Sequence, residues 1–306
     1  METIGGQAVI EGVMLRRKNV YSIAVRDPKK RIIVSKHKIR DHRKGLLRIF
    51  KYPFFRGIYS MYEMLHIGIR TLIYSSNVSM NEDEEKLSKS EIFWLIFISL
   101  LFTVGFFVVL PYFLTLLVGV QESTRPVIFN LIDALIKTVL FVLYVLAIAQ
   151  MKDIKRVFQY HGAEHKTVHC YEKRLKLTVK NVKKHTTLHP RCGSSFIMLV
   201  IVISIIVFSL LPLAFYSWFP ALISMHIILQ KVFLLSARIL VIPIIAGMSY
   251  EILKLAGKYD HNPLMRLISW PGLALQKLTT AEPSEKQIEV AIKAIKVLLT
   301  QNKAKN

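Results

Sequence analysis

The residues best suited to chemistry stand close together in the middle of the chain. Residues 160–172 read YHGAEHKTVHCYE, and residues 189–193 read HPRCG. If the first stretch is a helix, each residue turns by roughly 100°, so that three histidines share one face with two glutamates among or beside them: His161, His165, His169, Glu164 and Glu172. His-x-x-Glu-His is also the inverted zincin pattern, in which two imidazoles one turn apart bind a metal and a carboxylate activates water.

These donors predict a transition-metal site, with zinc as the expected metal. Histidine nitrogen and cysteine thiolate are the usual zinc ligands, and a three-residue spacing such as that of His189 and Cys192 is common for such pairs. We expect His161 and His165 to bind the metal, together with one or two of three further residues: His189, Cys192 and Glu251.

Three further residues have predicted roles near the metal. Glu164 is the candidate catalytic base, because it could take a proton from a water whose pKa the metal lowers. Lys166 and Arg191 could hold a phosphate or carboxylate of the substrate, or be ordinary basic residues at a membrane surface.

Two other residues of this region have a weaker claim to the metal. Instead of binding it, Glu251 could form a surface ion pair with Lys254. His169 is expected to matter least, since its direction diverges by about 80° from that of His161.

Composition indicates where such a site would be located. The 306 residues are 53% hydrophobic, a composition too apolar for an ordinary soluble domain. The chain also carries a formal net charge of +22. A strongly basic chain fits nucleic acid or an anionic membrane surface. The long apolar runs decide for the membrane and against nucleic acid. Two cysteines do not make a disulfide framework.

Four apolar runs are long enough to cross a hydrocarbon layer of about 30 Å: 92–121, 127–151, 196–225 and 226–250. We therefore predict an α-helical polytopic membrane protein with four transmembrane helices. They form two hairpins, 92–151 and 196–251, beside a small mixed α/β cytosolic domain.

Three segments outside the hairpins are expected to form that cytosolic domain. Segment 1–91 contains a predicted β-hairpin, 21–25 with 31–35, an amphipathic helix over 52–74 and a charged linker over 81–91. Segment 152–195 is the histidine-motif loop. Segment 252–306 is a tail punctuated by prolines, with a helix that starts at a capping box of Ser284 and Gln287 and ends near Thr300.

Charge distribution predicts the orientation. Segment 152–195 contains eleven Lys and Arg, whereas the connection between the first two runs has only Arg125. By the positive-inside rule both termini and the motif are cytoplasmic, in the plasma membrane and against its anionic leaflet. Cys170 and Cys192 are then thiols or metal ligands in a reducing compartment.

Two charged residues are predicted inside the bilayer. Arg238 and Asp133 lie at depths that differ by roughly 7 Å, and an uncompensated arginine there is costly, so we expect the two to meet across the bundle. The alternative is that Arg238 extends alone towards the surface and Asp133 pairs with Lys137 one turn away.

Several stretches together resemble one family: 5–14 (GGQAVIEGVM), 160–166, 189–193, 247–251 (GMSYE) and 270–272 (WPG). They are similar to the YqhQ-like family, bacterial integral-membrane proteins regarded as metal-dependent enzymes. The resemblance covers nearly the whole chain and implies the same membrane class and a metal-dependent activity.

Three functions remain open at this stage. The first is a metal-dependent hydrolase acting on an unknown small molecule, lipid or peptide; only the pentapeptide links it to inverted-zincin peptidases. The second is a non-catalytic scaffold or regulatory protein, held together by a structural metal or a polar network. A small transporter ranks third, because four spans without a repeat are too few unless the protein forms an oligomer.

Overall fold

The computed structural model describes residues 4–43, 45–80, 88–120, 124–222, 224–259 and 261–300. The strands are β1 (Gly5–Val9), β2 (Gly12–Arg17), β3 (Val20–Arg26) and β4 (Ile32–Lys38). The helices are α1 (Phe55–Ser79), α2 (Lys89–Val104), α3 (Leu110–Leu117), α4 (Pro126–Ile148), α5 (Lys152–Glu172), α6 (Val179–Lys183), α7 (Gly193–Trp218), α8 (Ile227–Lys258), α9 (Pro263–Thr279) and α10 (Glu285–Leu299). Short 3₁₀ helices occupy Gly45–Lys51 and Pro220–Leu222.

The four strands form an antiparallel meander in the order β1-β2-β3-β4. The predicted hairpin is therefore confirmed as β3 and β4, and its turn is closed by Asp27, whose backbone N–H donates to the Arg31 carbonyl at 2.9 Å. The Asp27 carboxylate also accepts from the Arg31 backbone N–H at 2.7 Å. An aspartate at the first turn position stabilises the turn in this way.

Helices cover both faces of the sheet. Helix α1 covers one face through Ile67, which packs with Val9, Ile23 and other strand residues. Helices α5 and α10 cover the other face. There one buried cluster combines residues of the strands, α5 and α10, including Leu15, Ala163 and Ile295. Because both faces are covered, β2 is buried along most of its length. Three segments that are distant in sequence thus share one core.

Within the part of the chain that the structure describes, four helices are long and apolar enough to cross a membrane: Ser90–Leu117, Val127–Ile148, Gly193–Trp218 and Ile228–Lys258. The first is continuous from α2 through a π-helical turn at Gly105–Val109 into α3. These four helices correspond to the four predicted apolar runs, while the ends differ by several residues. The fourth helix continues to Lys258 rather than ending at residue 250, and it packs against α1, where Gly57 lies against Gly247.

Two parts of the polar segments differ from the prediction. The motif segment is mostly helical, since α5 is followed by α6. The tail contains a second helix, α9, where the prolines had indicated an irregular chain. Pro263 stands in the first turn after Asn262, whose side chain accepts the Leu264 N–H at 2.9 Å, which is a favourable place for proline. The capping box of Ser284 and Gln287 is confirmed at the start of α10.

Candidate metal centre

Helix α5 presents the motif as one continuous helix, and this confirms the predicted helical face. Its glycine permits a close approach by the chain after α9. A Cβ at Gly162 would lie 2.1 Å from the Ala281 carbonyl oxygen, and the Ala281 N–H donates to the Phe158 carbonyl at 3.0 Å. The end of α9 is thereby brought against His161.

Two imidazoles are oriented by backbone carbonyls. His161 Nδ1 lies 2.9 Å from the Thr279 carbonyl oxygen, and His165 Nδ1 bonds the Thr187 carbonyl oxygen. A carbonyl oxygen can only accept, so in both rings Nδ1 carries the hydrogen and Nε2 keeps its lone pair. Metal-binding histidines are oriented in this manner, through an N–H donated to a carbonyl or carboxylate.

A thiol faces these lone pairs. Cys192 immediately precedes α7, and its Sγ lies 3.2 Å from His161 Nε2. One donor atom from each of His161, His165 and Cys192 lies within 4.8 Å of the other two. A tetrahedral zinc ion would place nitrogen and sulfur ligands roughly 3.5 Å apart. The two nitrogens and the sulfur therefore fit zinc in type and in spacing.

Glu164 lies beside this triad and is almost completely buried. The residue is 5% exposed, and its Oε2 is 3.4 Å from His165 Nε2. Burial raises the pKa of the Glu164 carboxyl, and the charges of His161 and His189 only partly oppose this. Burial also lowers the pKa of His165 and favours its neutral, metal-binding form. A carboxyl in such surroundings is a suitable proton acceptor.

A second group of donors, His169, Glu172 and His189, lies within the same 4.8 Å limit. Its hydrogen bonds differ from those of the triad. His189 Nδ1 accepts the Arg191 backbone N–H at 3.3 Å, so Nε2 carries the hydrogen and points to Glu172 Oε2 at 3.4 Å. Arg191 also donates to Glu172.

The second group therefore has its charges and donors already matched. Although burial raises the pKa of Glu172, the His189 hydrogen bond and the Arg191 charge outweigh it, and the net shift is downwards. His169 Nε2 donates to the Leu188 carbonyl at 2.7 Å. We interpret this group as an ion-pair network that supports the segment before α7.

A cleft of about 490 Å³ opens over the triad. Its floor contains His161, Glu164 and Cys192, and one wall is the outer edge of β1. The other walls are largely apolar, with side chains from α1 and α5, among them Met64 and Phe158. The site thus combines donor atoms, a buried carboxyl and space for a ligand.

Comparison with known proteins agrees with the resemblance seen in the motifs. A family model described as a protein of unknown function, DUF1385, matches residues 52–301. The chain belongs to the DUF1385 family. The Uncharacterized protein YqhQ of Bacillus subtilis (strain 168) is 36% identical over 314 residues, which cover 96% of this chain and 92% of that protein. No solved structure matches. The expected YqhQ-like membership is confirmed.

Of the predicted site residues, some are not brought to the triad. Glu251 is bound by Arg56, whose Nε lies 2.7 Å from Oε1, and it also accepts the Phe54 N–H at 3.3 Å. It is therefore engaged with α1, not with the histidines. Lys166 points away to Glu282 at 2.6 Å, while Arg191 lines the cleft. His189 is in the second group.

The predicted pair of Arg238 and Asp133 is present, and Asp133 also pairs with Lys137, but Arg238 does not extend alone as the alternative expected. Arg238 Nη1 lies 3.6 Å from Asp133 Oδ2, and Lys137 Nζ lies 2.5 Å from the same oxygen. Arg238 also donates to Asn130 at 2.7 Å, and its guanidinium lies about 5 Å from the Tyr112 ring and two other aromatic rings. We call Asn130, Asp133, Lys137 and Arg238, which lie on α4 and α8, the α4–α8 cluster.

Three residues that support the site were missed by sequence reasoning. Gln276 on α9 accepts the His189 N–H at 2.7 Å and donates to its carbonyl at 2.8 Å. Thr279 and Thr187 contribute only carbonyl oxygens, which side-chain patterns do not reveal. For Gln276 the sequence offered a signal. Gln276 lies one turn after Gly272, which packs closely against Ser195, so both residues lie on the buried side of α9. The prolines, however, obscured the helix.

Proposed function

We propose that this DUF1385 protein is a zinc-dependent hydrolase embedded in the cell membrane, with its active site at the cytoplasmic surface. One observation carries the proposal. His161 and His165 both donate their Nδ1 hydrogens to backbone carbonyls, His161 Nε2 lies 3.2 Å from the Cys192 thiol, and one donor atom of His165 lies within 4.8 Å of both. A hydrogen-bonded structural core would not need two neutral imidazoles whose lone pairs converge on a thiol beside a buried carboxyl.

The proposed orientation has both termini and the site in the cytoplasm. The sheet, α5 and α10 share one core, so the three non-spanning segments must lie on the same side of the four apolar helices. The eleven basic residues of segment 152–195 favour the cytoplasmic side. A cysteine introduced at the exposed Lys293 should react only with reagents that enter the cell. Labelling from outside would contradict this orientation.

Each residue of the site has a role in the proposed hydrolysis. His161, His165 and Cys192 would hold zinc, and three protein ligands are characteristic of catalytic rather than structural zinc. Zinc supplies Lewis acidity, which lowers the pKa of water and polarises a carbonyl. Glu164 accepts the proton of the attacking water and returns it to the leaving group. Arg191 lies at the cleft wall, where its ion pair with Glu172 fixes its position.

A non-catalytic scaffold is the second candidate function. It is favoured by the paired hydrogen bonds between Gln276 and His189, which tie α9 to the segment before α7. A scaffold would bind its metal in a closed four-ligand site, and it would tolerate replacement of Glu164 without loss of any turnover.

Metal analysis after purification without chelators tests the proposal. We expect about one zinc per chain in the parent protein and in Glu164→Gln, and less than a tenth of that in His165→Ala. His169→Ala, one turn further along α5, is the matched control and should keep its zinc. The proposal fails if the parent protein contains no stoichiometric transition metal, or if His165→Ala retains it.

A further inference from the structure

Strand β1 is the edge of the sheet, and its outer side borders the cleft. A two-residue turn at Ile10 and Glu11 joins it to β2, with Val9 opposite Gly12. In an antiparallel pair closed by such a turn, alternate residues of β1 bond to β2. The residues between them, Gly6 and Ala8, direct N–H and C=O outwards.

One contact confirms this alternation independently. Ile10, the next residue in the outward series, donates its backbone N–H to Ser75 Oγ on α1 at 3.2 Å. Among the described residues, none forms a hydrogen bond with the outward N–H groups of Gly6 and Ala8. The edge is therefore closed at one end by α1 and open beside the cleft.

The open edge passes directly over the candidate base. A Cβ at Gly6 would lie 2.9 Å from Glu164 Oε1. Gly5, Gly6 and Gln7 line both the cleft of about 490 Å³ and a neighbouring cavity of about 280 Å³ on the α1 side. Space is thus available on both sides of the strand, as the alternating side chains of an added strand require.

We propose that the substrate is a polypeptide in extended conformation, which binds as an additional strand along β1 with one of its amide bonds beside Glu164. This inference rests on the proposed hydrolase function. The outward N–H and C=O groups of Gly6 and Ala8 repeat at the spacing of alternate residues in a strand, and an extended peptide backbone offers the complementary groups at the same spacing. An acyl chain or a small anion does not offer donors and acceptors at this spacing.

The reaction is then peptide hydrolysis, and its atoms balance. The water oxygen forms a bond to the amide carbon, and the C–N bond breaks. The proton that Glu164 takes from water passes to the departing amine. Apolar walls near Met64, Val157 and Phe158 receive the side chains of the peptide.

Peptide binding can be measured without cleavage in the Glu164→Gln background. A phage-displayed library of random decapeptides is selected against this protein in lipid nanodiscs. Ala8→Pro then removes one outward N–H while leaving the β1–β2 hydrogen bonds in place, and Ala8→Ser is the matched control that keeps the N–H. We expect the selected peptides to bind Ala8→Pro at least tenfold more weakly and Ala8→Ser within about twofold.

A second measurement leaves the protein unaltered. Synthetic copies of the selected peptides carry N-methyl groups at alternate residues, which remove the N–H groups of one edge. One of the two methylation registers should weaken binding by at least tenfold. Equal binding of methylated and plain peptides, or of Ala8→Pro and Ala8→Ser, would show that β1 does not pair with the peptide. Failure to select any peptide would also overturn the inference.

A second copy of the chain is the rival occupant of the edge. Light scattering would then show a dimer that Ala8→Pro dissociates, and the peptide proposal would be wrong. The metal proposal fails separately. Peptide binding without zinc in the parent protein would contradict hydrolysis but not the strand pairing, whereas zinc without peptide binding would contradict only the substrate.

Discussion

The candidate metal centre and the α4–α8 cluster are both buried groups of ionisable side chains, but their charges and hydrogen-bonding atoms are satisfied in different ways. In the cluster, Asp133 faces two cations, and the Arg238 guanidinium is covered by aromatic rings and Asn130. In the metal centre, two imidazole lone pairs converge on a thiol, and a buried carboxyl has a raised pKa.

The difference separates stability from function. In the cluster, the charges lie against one another and against an amide and aromatic rings of the protein, and they need no ligand. In the metal centre, the imidazole lone pairs and the buried carboxyl would be stabilised by a bound cation, which the protein itself does not supply. Residues of the first kind should therefore affect unfolding, and residues of the second kind should affect metal binding.

The largest expected effect is in the α4–α8 cluster. Arg238→Ala removes an almost fully buried side chain, its hydrogen bond to Asn130 and its contacts with three aromatic rings, and should lower the free energy of unfolding by roughly 2–5 kcal/mol. Thermal unfolding in detergent measures it, with zinc content as the second readout. Lys137→Met, which removes the less buried cation, is the control with the smaller loss.

A double-mutant cycle sharpens this prediction. Asp133→Asn and Arg238→Gln should be less costly together than the sum of the two single changes, because each alone leaves the other charge buried. Additive losses would show that the two residues do not interact.

The next effect is on zinc affinity. Cys192→Ser replaces a thiolate with a hydroxyl and should weaken zinc binding by about 100-fold, while the metal-free protein unfolds at nearly the parent temperature. Competition with a fluorescent chelator measures the affinity. Cys170→Ser, at the other cysteine, should leave the affinity unchanged. If Cys192→Ser unfolds the metal-free protein, the thiol contributes to stability and not to metal binding.

A smaller effect concerns Glu164, whose replacement should stabilise the metal-free protein. The folded-state pKa of this carboxyl is raised, so stability is lost as the pH rises from the ordinary carboxyl pKa of about 4.5 to the raised pKa, and the full cost remains at higher pH. Glu164→Gln removes this cost and should raise the melting temperature by about 2–4 °C at pH 8, with little change near pH 4.5. A lower melting temperature at pH 8 would show that the carboxylate stabilises the fold.

The smallest expected effect is the loss of stability of the metal-free protein at acidic pH. Burial lowers the folded-state pKa of His165 and of His169. The unfolded chain therefore binds more protons as the pH falls through about 6.5, and stability should decline below that pH. Melting temperatures between pH 7.5 and 5 measure the slope. The slope should be shallower in His165→Asn, and an unchanged slope would assign the decline to other groups.

Local patterns predicted part of the site because two of its three proposed ligands lie on one helix. The spacing of His161 and His165 fixes their common face whatever surrounds the helix. His189 and Glu251 could not be assigned from sequence, since each joins a different partner, Glu172 and Arg56, that lies far away along the chain. Helix α9 was missed because proline signals outweighed the start signal at Asn262 and Pro263.

By itself, the sequence determined the four apolar helices, the capping box of α10, the β3–β4 hairpin and the histidine face. Each of these depends on residues within one or two turns of each other, where hydropathy and periodicity act. Only the tertiary structure decided that β1, α5 and α10 share a core, that Thr187 and Thr279 orient the imidazoles, and that the edge of β1 stays open over Glu164. These arrangements come from packing between distant segments, and backbone carbonyls and strand edges have no side-chain signature that a sequence can display.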